Sequence, residues 1–300
     1  CSLPNGRKTD MMVEKEEKWR TKSMKQFLKS FGSAFLYFLA YLLIQTAVSM
    51  AVSVVLSIQA VAQAALEGIE PDPLALSQQV VEKLLQQSTL IVLISGALTL
   101  FLYWLFFRLC KKRLQQECCA TRLESGAIFP LLLAGISFNV VISLVIGIIP
   151  FPQSWIDSYT MNSASVTAGN VLINWAATVL MAPVLEEVVF RGLVYTRLKQ
   201  GMPRAVAAIL TSLLFGLMHG TIIWGLYTFA FSLLLIWVFE EFGSLKANIL
   251  LHMSFNLMGM LLETIDSPEG ALLWAAGCVS LAVLIVSVVW IGKIGKKNVI

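Results

Sequence analysis

Long apolar runs separated by short polar turns recur along this chain of 300 residues. A helix that crosses the hydrocarbon core of a bilayer needs about 20 mostly apolar residues. Eight stretches meet or approach that length, roughly 31–58, 88–107, 127–149, 167–190, 205–219, 222–239, 246–263 and 271–292. The fifth is short, and the fourth can run on to Lys199 as a helix leaving the membrane. The pattern predicts an all-α, polytopic transmembrane helical bundle of about eight spans at 31–300, following a polar tail at 1–30. Before the second span, Pro71 and Pro73 break the chain, and Leu76, Val80 and Leu84 then recur every four residues beside Val81 and Leu85. That spacing lines one helical face. It predicts either an amphipathic helix on the outer interface or a helical extension of the second span.

Composition agrees with the pattern: 57% of residues are hydrophobic and 13% charged, against about a quarter charged in soluble domains. A net charge of +4 gives no reason to expect nucleic acid as a partner; the lipid bilayer is the expected surroundings. The placement of the charges is more informative. Lys and Arg near span ends are retained in the cytoplasm. With both termini cytoplasmic, 21 of the 22 basic residues fall inside and only Lys83 outside. Cys1, Cys110, Cys118, Cys119 and Cys278 form an odd set without C-x-x-C spacing, read as reduced thiols rather than a metal or redox motif. The first apolar run is too long for a signal-peptide core, so no cleavable leader is expected, and Met11 or Met12 is a candidate start residue. Trp104, Trp155, Trp224 and Trp290 lie near span ends, where aromatic belts form.

Ionisable groups inside spans are costly and mark function by default. Here they gather in the core at 167–263: Glu186, Glu187 and Arg191, then His219, then His252 with Asn256. His219 and His252 are the only histidines. Either alone could be a hydrogen bonder between helices, but two histidines, two glutamates and an asparagine in neighbouring spans point to one site. Glu186 precedes Pro203 by 17 residues and His219 follows it by 16. A hairpin folded at Gly201-Met202-Pro203 therefore brings both to one depth. His252 reaches that depth if the fourth helix projects about three turns beyond the membrane. Glu187 and Arg191, four apart, share a helix face and can neutralise one another, which leaves Glu186 the freer carboxylate. His252 and Asn256 are also four apart.

These residue types suit peptide hydrolysis, which needs a base to activate water and donors for the oxyanion. Alternatively, Glu186, His219 and His252 form a two-His, one-carboxylate zinc set with an open position for water. A metal-free site is favoured, and zinc is the one cofactor left open. The soluble H-E-x-x-H signature is absent, and Ser254 is read as bonding its own helix backbone.

Three segments resemble a known family. Glu186-Glu187-Val188-Val189-Phe190-Arg191 is similar to the E-E-x-x-x-R motif of CAAX-protease and bacteriocin-processing (CPBP) intramembrane endopeptidases; Phe215 to His219 and His252 to Asn256 are similar to its F-x-x-x-H and H-x-x-x-N motifs. The resemblance implies a helical bundle with a conical cavity open to the cytoplasm. It implies Glu186 as general base, His219 holding the catalytic water, His252 and Asn256 stabilising the oxyanion, and Glu187 with Arg191 fixing the helix. It also implies a peptide or membrane-associated protein as substrate, and family members include both metalloproteases and glutamate proteases. The form of the chain resembles the bacterial branch, in a bacterial plasma membrane, with bacteriocin or signal-peptide precursors as expected substrates. The rival reading is a non-catalytic membrane partner, acting in bacteriocin immunity or in regulation of a sensor kinase. A proton-coupled transporter is disfavoured because no repeats or paired broken helices are seen.

Overall fold

The computed structural model describes residues 5–68, 72–264 and 270–297, without the side chains of 5–23, 270–273 and 296–297. Cys1 and Pro71, and the side chains of Met11, Met12 and most of the polar tail, lie outside the described residues. The described chain is all helical. We label the helices α1 (Asn5–Leu66), α2 (Pro73–Gln86), α3 (Ser88–Leu109), a single turn α4 (Leu114–Glu117), α5 (Ile128–Ile148) and α6 (Gln153–Thr167). A continuous helical run follows as α7 (Val171–Gly201), then α8 (Arg204–Leu217), α9 (Ile222–Phe242), α10 (Leu245–Leu262) and α11 (Gly270–Lys297).

The expected tail and first span form one helix. Its apolar part, Met24–Leu66, is long enough to cross a membrane, as are α3, Ser125–Ile148, α9, α10 and Trp274–Gly295. These are six spans by length and composition; α6 with α7, bent by 112° at their junction, would make a seventh. The expected eight are reduced because the fifth is too short. α8 has 14 residues and reaches only ~21 Å, against a hydrocarbon core of ~30 Å. It stops where Gly220 takes a left-handed φ of 78° and Thr221 caps α9 by accepting from the Trp224 N–H at 3.4 Å. Glycine enters that region without a Cβ penalty, so the chain reverses there and returns as α9.

α2 begins at Asp72, whose side chain accepts from the Leu74 N–H at 3.1 Å, with Pro73 at its first position, a favourable start on both counts. It is not a continuation of α3, from which Gln87 separates it. Leu76, Val80 and Leu84 pack on Val52, Leu56 and Ala60 of α1, while Val81 and Leu85 beside them stay exposed. Deeper in the bundle α5 lies against α10. A Cβ at Gly135 would overlap Ser254 Oγ and the Leu251 carbonyl, so glycine is what lets these two helices approach. Ser254 itself donates to the Leu251 carbonyl at 2.8 Å and is a packing residue.

One end of the bundle collects the basic side chains. Gly201 of α7 packs on Phe27 and Ser30 of α1, and Gly295 of α11 on Glu241 of α9. Lys199 and Arg204 both pair with Glu240, at 2.5 and 3.4 Å. Arg197 and Lys112 share Glu117. The α3–α5 connection closes this end: the Leu245 N–H donates to the Cys119 carbonyl at 3.0 Å, and Cys118 presses on Gly192. Cys118 is only 1% exposed, and burial pushes its thiol up to about 12, with Arg197 opposing the shift. Because the thiolate is the nucleophile, Cys118 should resist maleimide between about pH 7 and 9 while exposed Cys110 reacts. Mass spectrometry of the alkylated protein in detergent checks this; equal modification of the two would contradict the packing of Cys118.

Candidate active site

α7 carries the first two acidic residues, and its backbone explains their setting. Pro183 has no N–H to donate, and around it the helix widens into π turns at Ala176–Met181 and Glu187–Tyr195; the Ala182 N–H accordingly reaches the Ala177 carbonyl. Such π segments occur frequently at functional sites. The second holds Glu187 and Arg191 together facing the bundle interior, where both are fully buried.

Every polar atom of the Glu187 carboxylate is engaged. Oε1 accepts from Arg191 Nη1 at 3.0 Å and from His252 Nδ1 at 2.8 Å. Oε2 accepts from Asn248 Nδ2 at 3.2 Å. Arg191 in turn donates to Ser232 Oγ at 2.8 Å and lies over the Phe215 ring, 4.4 Å from its centroid. A buried charge is tolerable only when paired and hydrogen-bonded; groups from α7, α9 and α10 pair both charges here, while Arg191 Nε and Asn248 Oδ1 are buried without a partner. Asn248 and Ser232 were not singled out in the sequence. The signal was present for Asn248, which stands four residues before His252 on the same helical face; Ser232 is one serine among many.

Glu186, on the next position round α7, faces differently. It lines a cavity of about 460 Å³ together with His219, His252 and Asn256, and its side chain is 19% exposed. The structure therefore brings these four to one space. His252 Nε2 stands 3.8 Å from Glu186 Oε2, beyond direct hydrogen-bond range. His219 closes the C-terminal end of α8, with Nδ1 2.7 Å from the Phe215 carbonyl, and Phe215 lies between the imidazoles, its centroid 4.8 Å from His219 and 6.0 Å from His252. Asn256 Nδ2 donates to the Thr178 carbonyl at 2.8 Å, tying α10 to α7.

These bonds assign the tautomers. The partners of both Nδ1 atoms, a carboxylate and a carbonyl, only accept, so each Nδ1 carries a proton. Asn256 keeps one of its two amide N–H groups beyond the bond to Thr178. The zinc reading needs Glu186, His219 and His252 to converge, and among the described residues no group of three His, Cys, Asp or Glu side chains is arranged to hold a metal ion.

The cavity also recruits the first half of the chain, through Tyr41 and Gln45 of α1, Ser88 of α3 and Asn139 of α5. Nothing in the sequence motifs identified these. Its mouth lies at the end of the bundle opposite the basic side chains: Thr167 at the close of α6 and Glu263 beyond α10 both line it and are exposed. A cavity open to the cytoplasm and a cytoplasmic basic end, both expected from the sequence, are therefore incompatible in this fold.

Residues 168–258 match the family model described as type II CAAX prenyl endopeptidase Rce1-like. The match covers less than a third of the chain, and it contains Glu186, Glu187, Arg191, His219, His252 and Asn256. Nothing matches among the curated proteins or among the solved structures.

Proposed function

We propose that the chain, through residues 168–258, is a member of the Rce1-like family of CAAX-type intramembrane endopeptidases, with Glu186 as its general base. As a multi-pass membrane protein and a protease of this type, it acts on a peptide or protein segment held in the cavity. The observation that carries the proposed mechanism is the His252 Nδ1 bond to Glu187 at 2.8 Å with Nε2 left 3.8 Å from Glu186 Oε2. In the proposed resting state His252 is neutral, and a water between its Nε2 and Glu186 donates one hydrogen to each, which turns its lone pairs toward a substrate carbonyl. Glu186 takes the proton as the oxygen attacks, and the resulting carboxylic acid returns it to the leaving amine. His219 lines the same cavity and walls in the space where the water is held. Asn256 supplies an N–H for the oxyanion, a role for which a neutral amide needs no change of charge.

Glu187 and Arg191 do not touch the reacting atoms in this scheme. They position His252 and set its tautomer, as a buried carboxylate does for the imidazole of a hydrolase. The expected result for metal follows from the donor arrangement. Purified active protein should hold well under one zinc per chain and keep cleaving a peptide after dialysis against a strong chelator, measured by elemental analysis beside the cleavage assay. Stoichiometric zinc, with activity lost on its removal and restored on adding it back, would make Glu186, His219 and His252 ligands and overturn the glutamate mechanism.

A further inference from the structure

The cavity and the basic side chains occupy opposite ends of the same bundle, and this has a consequence for where the substrate comes from. At the closed end, the described basic residues are Lys25, Lys29 and the Arg108–Arg122 group, then Arg197, Lys199, Arg204, Lys246 and Lys293. Arg191 leaves this group, because it is buried beside Glu187. At the mouth end, the described residues include one basic side chain, Lys83, against Glu67, Asp72, Glu82, Asp157 and Glu263. The orienting rule counts Lys and Arg in short loops near span ends, and all of these qualify.

Nor does the cavity continue through to the basic end. Beneath Glu186 and His252 lie the buried Glu187–Arg191–Ser232 cluster and the fully packed Val189, Leu193 and Leu235. Below those, Cys118 is wedged on Gly192. Exposed lining residues at the mouth end include Thr167 and Glu263. The α3–α6 contact that frames this entrance, Ser88 Oγ donating to the Ser165 carbonyl at 2.9 Å, involves neutral groups and no basic side chain.

We propose that the cavity opens on the non-cytoplasmic side of the membrane, and that its substrate is a peptide or membrane-protein segment lying on that side rather than a cytoplasmic carboxy terminus. The substrate part of this rests on the proteolytic reading above; the sidedness does not. A segment emerging from the outer end of its own membrane span would meet the mouth directly. A cytoplasmic tail would have to cross the bilayer first.

Cysteine accessibility decides between the two sides. Thr167→Cys, and separately Glu263→Cys, are placed in a background with Cys1, Cys110, Cys119 and Cys278 changed to Ser, where Cys118 is silent by burial. A companion protein keeps Cys110 as its only exposed thiol. Sealed right-side-out membrane vesicles are treated with a charged, impermeant maleimide before and after permeabilisation. Thr167→Cys and Glu263→Cys are expected to label fully before permeabilisation, and Cys110 only after it. The reverse pattern overturns the proposal. Peptide cleavage by the same variants in detergent, where sidedness has no meaning, separates this from the proteolytic reading: absent cleavage with mouth-side labelling sinks only that reading.

Discussion

Glu186→Gln and Glu186→Ala are expected to lower the rate of peptide cleavage by about 10²- to 10⁴-fold, the usual contribution of a positioned general base, with little loss of folded protein. The structural reason for the second half of that statement is the exposure of Glu186 to the cavity and the absence of any hydrogen bond under 3.5 Å that its removal would break among those described. Neutralising a partly buried carboxylate relieves a desolvation cost. Cleavage kinetics in detergent, with thermal unfolding measured on the same preparations, read the two effects separately. If the protein retains its biological activity with Glu186→Ala, a non-catalytic membrane partner replaces the protease mechanism.

Arg191→Ala should do the opposite and strike stability as hard as activity. It removes the guanidinium from a fully buried carboxylate and leaves Ser232 Oγ without its donor. Breaking a buried pair from one side typically costs about 3–5 kcal/mol, enough to deplete the folded protein in the membrane. The double change Glu187→Gln with Arg191→Met takes away both charges while Gln can still accept from His252 Nδ1. It should recover much of the lost expression and thermal stability, because replacing a buried pair by neutral groups of similar volume is often close to neutral. Activity should recover less than stability, since a neutral amide orients His252 more weakly than a carboxylate. Equal instability of the single and double variants would mean that the charge pair is not what Arg191 stabilises.

These two substitutions sit on adjacent turns of one helix, yet they differ because Glu186 and Glu187 face different surroundings. The sequence made the difference legible in part. The four-residue spacing of Glu187 and Arg191 put them on one face, and the structure joins them at 3.0 Å. It did not say that Asn248 and His252 complete the carboxylate's partners. Spacing along one helix is local information, whereas the choice of neighbouring helix depends on packing such as the Gly135 contact with Ser254.

What the sequence determined by itself was the class of protein and the residues of the candidate site. Apolar runs of spanning length need no tertiary information to be recognised, because in lipid each helix must satisfy its own backbone. The segregation of Lys and Arg is likewise a property of loops. Tertiary structure decided the rest: that the fifth run ends early at Gly220, that α2 turns its apolar stripe onto α1, that each histidine carries a proton on Nδ1, and that the cavity opens away from the basic end. Each of these depends on which surfaces meet. A hydrophobic pattern states that a face must be covered, and many partners could cover it; only close packing among particular side chains selects one.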